Sequence, residues 1–440
     1  MTSAQEPAAP PLLFRNVRVV TPPGFQGTTG PAALLRGPRA GRLETLEGAE
    51  VLVEGGVIRS VGPGGEGLPP GTRVIEGRGR VLLPGFVDAH THACWAGDRL
   101  DEWEAKLKGA TYQELLAAGG GILATVRAVR AASEEELADA LLERLGWMLG
   151  EGTTTVEVKS GYGLDTGAEL KMLRAIRRAG EQWAGTVVPT ACLGHAKDPD
   201  VPDFVERTIG ETLPAVHEAF PGVAVDAYCE EGAWSVEECV ALFEAAAELG
   251  HPLRIHADQF TSLGMVEEAV RLGALSVDHL EATTPDDLRL LAGSAAAGVL
   301  LPVSGFHLDG RYADGRGFVD AGGAPVVATN YNPGSAPSPS IPLAVALAVR
   351  ENGLLPAEAL TAVTANGAAL LGFADRGRIA PDLRGDLVLL RHTDERELAR
   401  TVGGSPADLV VCGGRVVWDA GGGSGTLPPD DGPSPPSAEA

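Results

Sequence analysis

Two histidines, His90 and His92, close the run Val81-Leu82-Leu83-Pro84-Gly85-Phe86-Val87-Asp88-Ala89-His90-Thr91-His92. Side chains at i and i+2 of a strand share one face, so both rings can aim at one point in space, as metal ligands must. Neutral imidazole suits zinc and iron, but two ligands do not complete a site. Further polar residues stand where other apolar runs end. Lys159-Ser160-Gly161-Tyr162-Gly163 follows Val156-Glu157-Val158, His195 follows Ala191-Cys192-Leu193-Gly194, and His256 follows Leu253-Arg254-Ile255. Asp278 and His279 follow Leu275-Ser276-Val277, and Thr329 to Ser335 follows Val326-Val327-Ala328. A lone histidine at a strand end is more often a hydrogen-bonded structural residue than a ligand. Here His90, His92, His256 and His279 all end apolar strands, and burying that many polar rings without a task is costly. His217, His251, His307 and His392 lack this context and read as structural or surface residues; Glu230 and Glu231 read as a solvated loop.

Short apolar runs alternating with amphipathic helices must position these groups. Runs at 154–158, 187–193, 223–228, 252–256, 275–279, 298–303 and 325–329 read as strands. Ser133 with Glu136, and Ser235 with Glu238, have capping-box spacing, and Thr284-Pro285 is another helix start. Leu137, Leu141, Leu145 and Met148 follow helical spacing, as core residues do. With the strand that ends at His90, this makes about eight βα units, the count of a (β/α)8 TIM-like barrel, whose chemistry sits at the C-terminal ends of its strands. The two chain ends echo each other: Leu52-Val53-Glu54-Gly55-Gly56-Val57-Ile58 and Val410-Val411-Cys412-Gly413-Gly414-Arg415-Val416-Val417 are both apolar–Gly-Gly–apolar, a hairpin signal. Other strand-like runs lie at 13–21, 73–83 and 386–391. The expected organisation is an α/β chain: a disordered start (1–11), a small β-sandwich domain composed of 12–83 and 381–420, the barrel over 84–380, and a Gly-, Pro-, Ser- and acid-rich disordered tail (421–440).

The 440 residues are 44% apolar, enough for a sizeable core, and carry a formal net charge of −24. Nucleic-acid binding needs a basic footprint and is not expected; an anionic substrate stays open, because a local arginine can reverse the field inside a pocket. No run approaches the ~20 apolar residues of a membrane helix. The polar, Pro-rich start has no basic segment before an apolar one, so no secretory signal is expected and the cytoplasm is the expected compartment. Five widely spaced cysteines without CxxC read as reduced thiols.

His90-Thr91-His92 after Pro84-Gly85-Phe86-Val87-Asp88, with His256 and His279 at later strand ends, resembles the metal-dependent amidohydrolase superfamily. Arg99, Glu157-Val158-Lys159-Ser160-Gly161-Tyr162-Gly163-Leu164, His256-Ala257-Asp258-Gln259 and Asn332-Pro333-Gly334-Ser335 narrow the resemblance to the imidazolonepropionase family, over about residues 14 to 420. The resemblance implies a hydrolase of histidine degradation that opens 4-imidazolone-5-propanoate with water to N-formimidoyl-L-glutamate. It implies one zinc or iron ion per chain on His90, His92 and His256, with residue 330 as a further ligand position, and substrate contacts from Arg99, Tyr162, His195, Gln259, Asn332, Gly334 and Ser335. His279 would polarise the carbonyl or stabilise the oxyanion, and Gln259 falls where the family carries Glu or Gln near the water. Lys159 is expected to be a structural cation beside a single metal, not a carboxylated bridge. A homodimer acting on a small molecule is implied, with no nucleic acid and no membrane.

The chain departs from the family at one catalytic position: the eighth strand ends Thr329-Asn330 where the family has Ser/Thr-Asp. Asparagine is isosteric but neutral, and its amide is a poor proton acceptor, so weaker metal binding and loss of the usual base are expected. Three readings stay open: a variant with little turnover, a base role for another group such as His279, or an engineered replacement in an otherwise active enzyme. The rival functions are another amidohydrolase, such as a cytosine or guanine deaminase, a ligand-binding relic, and a barrel used only for assembly.

Overall fold

A computed structural model describes residues 9–24, 33–64, 67–109 and 120–421. Most of the two terminal segments expected to be disordered lies outside the described residues. Eight strands, β6 (Phe86–Asp88), β7 (Thr153–Lys159), β8 (Thr186–Gly194), β9 (Ala224–Cys229), β10 (Leu253–Ala257), β11 (Ser276–His279), β12 (Ala297–Leu300) and β13 (Pro325–Val327), pair in parallel in strict chain order. They are rich in Val, Thr and Ala, and most are buried along their whole length, as a parallel sheet covered by helices requires. The barrel closes just past the strands: Thr91 bridges Tyr331, the His92 N–H donates to the Tyr331 carbonyl at 3.0 Å, and the Asn330 N–H donates to the His90 carbonyl at 3.1 Å. The closing seam therefore carries the His-Thr-His segment and Asn330 side by side.

Several expected strands are shorter than their apolar runs, two of them at the site. β6 ends at Asp88, so His90 and His92 lie in the extended segment beyond it. β12 ends at Leu300, because Pro302 begins a short helix, Pro302–His307. The helix starts form as the spacing requires. In the helix Glu134–Gly150, Ser133 Oγ accepts from the Glu136 N–H at 3.1 Å and Glu136 accepts from the Ser133 N–H at 2.8 Å. Val236–Glu248 repeats the box with Ser235 and Glu238, and Thr284 caps Pro285–Gly293. Leu137, Leu141, Leu145 and Met148 are fully buried against the barrel.

The chain ends build a separate sheet from β1 (Leu12–Thr21), β2 (Glu44–Glu54), β3 (Val57–Gly62), β4 (Arg73–Glu76), β5 (Val81–Pro84), β14 (Leu387–Leu390), β15 (Ala407–Cys412) and β16 (Arg415–Asp419). The run 73–83 is thus two strands, separated by a turn in which Arg78 and Gly79 have positive φ. β1 pairs with β4 through its first half and with β5 through its second, and both halves contribute to one apolar cluster with Val51, Ile58, Leu387 and Val411. Gly55-Gly56 and Gly413-Gly414 make the two tight turns, all four with positive φ. The echoing hairpins also touch: a Cβ on Gly56 would lie 3.3 Å from the Gly413 carbonyl oxygen. All five cysteines are buried free thiols.

Candidate metal centre

The strand ends converge on the C-terminal face of the barrel. One ligand atom from each of His90, His92 and His256 lies within 4.8 Å of the others, and all three rings are buried. Their roles are set by what holds their far nitrogens. His90 Nδ1 lies 2.5 Å from Asp278 Oδ2, and His256 Nδ1 lies 2.9 Å from Asp226 Oδ1. A carboxylate on Nδ1 fixes the tautomer that turns the Nε2 lone pair inward. His90 Nε2 is buried without a partner, and the Nε2 atoms of His92 and His256 face each other at 3.0 Å. Such an arrangement is relieved by a cation between the rings, so the donor set fits a metal ion. Burial, with Lys159 next to it, pushes the His90 imidazole well below its ordinary pKa, and burial with His195 does the same to His92. Both are therefore in the neutral, ligating form.

Beneath the imidazoles lies a dry ionic layer that fixes them. Lys159 Nζ sits between Glu157 Oε1 (2.7 Å) and Asp226 Oδ2 (2.6 Å). Arg254 reaches Asp278 Oδ2 at 2.7 Å, Glu157 Oε1 at 3.2 Å and the Ala89 carbonyl at 2.8 Å. Burial and Arg254 work against the Lys159 ammonium, but Asp226 and Glu157 outweigh them and its pKa is raised. Lys159 is thus a charged, doubly paired cation in this layer. A second cluster of possible ligands, Cys192, Asp226 and His256, shares Asp226 with Lys159 and His256 with the first cluster.

Above the imidazoles opens a cavity of about 520 Å³, lined by His92, His195, His256, His279, Tyr162, Arg99, Gln259, Asn330, Asn332, Gly334 and Ser335, among others. Every residue expected at the site therefore reaches this one cavity, except His90, which is sealed beneath it. His195 stacks on His92 with ring centroids 4.6 Å apart and touches Tyr162 at 5.0 Å. Burial, then His256, depress the His195 imidazole to about 3. His279 Nδ1 is held by Glu281 at 3.1 Å, which leaves its Nε2 for the cavity. Asn330 donates from Nδ2 to Ser304 Oγ at 2.8 Å, while its Oδ1 is buried without a partner. Asn332 Oδ1 accepts the N–H groups of Gly334 (2.8 Å) and Ser335 (2.7 Å), which makes the Asn-Pro-Gly-Ser turn. Of the eight non-glycine residues with positive φ among the described residues, five (Leu164, Asp258, His279, Leu280, Asn330) end or follow barrel strands at this face, so backbone strain is concentrated at the site.

Glu230 corrects the expectation of a solvated loop: it is 5% exposed, accepts the N–H groups of Phe260 (2.8 Å) and Thr261 (3.2 Å), and lines the cavity. Glu102 and Lys106 also line it and were not expected. The sequence signal for Glu102 was its place three residues after Arg99. Asp226, Glu157 and Arg254 were signalled by a charge inside an otherwise apolar strand.

The profile of the amidohydrolase family matches residues 81–417. An imidazolonepropionase of Rubrobacter xylanophilus is 45% identical over 393 residues, covering 87% of this chain and 94% of that protein. One of Deinococcus radiodurans is 45% identical over 382 residues, covering 87% and 95%. Among solved structures, N-isopropylammelide isopropylaminohydrolase from Burkholderia multivorans superposes with a TM-score of 0.67 at 21% identity, covering 94% of this chain and 99% of that one. A 5-methylcytosine deaminase from Klebsiella pneumoniae gives 0.68 at 16%, covering 92% and 97%. At such identities the structural likeness shows the shared fold.

Proposed function

Because this chain belongs to the imidazolonepropionase family of the amidohydrolases, we propose that its cavity takes 4-imidazolone-5-propanoate and opens the ring with water to give N-formimidoyl-L-glutamate. The observation that carries the reading is the convergence of three buried imidazoles, two of them oriented by carboxylates, on one point at the floor of a cavity also lined by Arg99. His90, His92 and His256 would hold one zinc or iron ion, with the Asn330 amide oxygen as the remaining donor. An ion there supplies a water acidic enough to lose its proton near neutral pH, with a pKa towards ~7.

The chain's own residues do the rest. The Arg99 guanidinium receives the propionate through parallel N–H groups, against the turn of Asn332, Gly334 and Ser335. Tyr162 and His195 flank the ring, and the neutral His195 can hydrogen-bond it without adding charge. Water adds to the ring carbonyl and the C–N bond breaks. His279, oriented through Nδ1 by Glu281, would take the water proton at Nε2 where Asn330 cannot and pass it to the leaving nitrogen. Gln259 is a neutral hydrogen-bonding partner for the water or the leaving nitrogen. The same reading takes the working unit as a cytoplasmic homodimer, which light scattering checks for mass. Among the described residues no helix is long and apolar enough to cross a membrane.

Elemental analysis paired with an assay tests the function. One equivalent of zinc or iron per chain and turnover of imidazolone propionate, with none of cytosine or aminopurines, is the expected result. Protein that stays metal-free after soaking in zinc or ferrous salt, or that deaminates the bases instead, overturns it.

A further inference from the structure

The arginine that lines the cavity is not free. Arg99 donates from Nε to Glu102 Oε2 at 2.7 Å and from Nη2 to the same oxygen. That oxygen also accepts the Gly121 N–H at 2.8 Å, and Glu102 Oε1 takes the Lys106 ammonium at 3.0 Å. Arg99 and Glu102 side chains are only 11% and 10% exposed. Burial would raise the Glu102 carboxyl, but Arg99, the Gly121 N–H and Lys106 hold it below its ordinary value, so it is charged.

A guanidinium has five N–H groups in a fixed fork. Glu102 occupies the side edge, made by Nε and one N–H of Nη2. Nη1 has one long contact, to Thr125 Oγ1 at 3.5 Å, and its second N–H pairs with that of Nη2 to form the end-on edge, which matches the two oxygens of a carboxylate. Nη1 lies against the Asn332–Ser335 turn so closely that a Cβ on Gly334 would be 3.3 Å from it. A side chain there would push the guanidinium aside by a few tenths of an ångström.

Resting on the proposed function, we propose that Glu102 is the positioning residue of the carboxylate end: it locks Arg99 side-on, so that the arginine's end-on edge meets a singly charged carboxylate lying on the Gly334 turn. Glu102 does not touch the ligand, and Arg99 does.

The test is calorimetry on metal-loaded protein with two probes: imidazolepropionate, an unreactive ring carrying the same side chain, and 4-ethylimidazole, which lacks the carboxylate. In Glu102→Gln the Kd for imidazolepropionate is expected to rise ~tenfold while that for 4-ethylimidazole stays within about twofold. Gly334→Ala, which crowds Nη1 and leaves Glu102 intact, is expected to give the same asymmetry. Equal weakening of both probes assigns Glu102 a general structural role and overturns the proposal. So does tighter binding of imidazolepropionate, which would make Glu102 a competitor for the arginine. If the parent protein binds 4-ethylimidazole and imidazolepropionate equally, the fault lies in the reading of the cavity itself, and the proposal falls with it.

Discussion

The two ends of the cavity are built in opposite ways. At the metal end, the partners are buried: His256 hangs from Asp226 and His90 from Asp278, and these carboxylates from Lys159 and Arg254, on barrel strands β7 to β11. At the carboxylate end, Arg99 and Glu102 belong to the start of α1 (Leu100–Leu107), a helix with no buried residue, whose Leu100, Trp103 and Leu107 are 66%, 48% and 68% exposed. The reacting atoms are fixed by elements that can move only if the barrel unfolds. Arg99 is held mainly by one carboxylate shared between α1 and Gly121, with a long contact to Thr125. Catalytic groups need their geometry set before substrate arrives, whereas a carboxylate clamp tolerates local opening as the ligand enters.

The largest expected effect lies at the metal end. Asn330→Asp restores a charge to a buried position whose Oδ1 has no partner. The rate on imidazolone propionate is expected to rise by roughly 10²–10⁴, the usual contribution of a positioned base, and the protein to hold its metal against higher chelator concentrations. A revertant no faster than the parent would show that His279 with Glu281 already fills the role. The two ends would then differ in rigidity but not in completeness.

Arg254→Met is expected to show how firmly the metal end is held. The substitution leaves Asp278 and Glu157 buried with Lys159 as their remaining cation. Removing one partner of a buried ion network costs about 3–5 kcal/mol, which urea unfolding reads as a lower midpoint at unchanged slope. Metal affinity should fall too, since His90 Nδ1 bonds the same Asp278 oxygen that Arg254 holds. An unchanged midpoint would mean that the layer tunes the ligands without supporting the fold.

The same contrast explains what was legible in the sequence. The converging histidines announced themselves, because a histidine at the end of an apolar run is conspicuous and i, i+2 spacing is informative. The barrel was legible from the alternation of runs and caps, and the hairpins from paired glycines. Strand ends were less so: β12 stops early because Pro302 begins a helix. The ionic layer was not legible, because its pairs depend on register. His256 lies opposite Asp278 on β11, and Arg254 opposite Asp226 on β9; no spacing within one strand encodes this. Glu230 was misread for a related reason: its partners, the N–H groups of Phe260 and Thr261, come from the next βα unit.

The smallest expected effect is on the exposed face of α1. Trp103→Ala removes a large side chain that is 48% exposed on a helix without buried residues. Surface substitutions away from caps and cores change stability by within ~0.5 kcal/mol, so the urea midpoint should barely move and metal content should be unchanged. The contrast with Arg254→Met is then a direct measure of the difference between the two ends. The substitution also carries information if it fails to be silent. Leu100, Trp103 and Leu107 lie at i, i+3 and i+7, on one side of the helix, and fully burying a large apolar side chain is worth roughly 1.5–3 kcal/mol. A loss of that size would mean that this side of α1 is covered in the working protein. The carboxylate end would then be as firmly anchored as the metal end, and the division of the cavity into a fixed and an adaptable half would have to be given up.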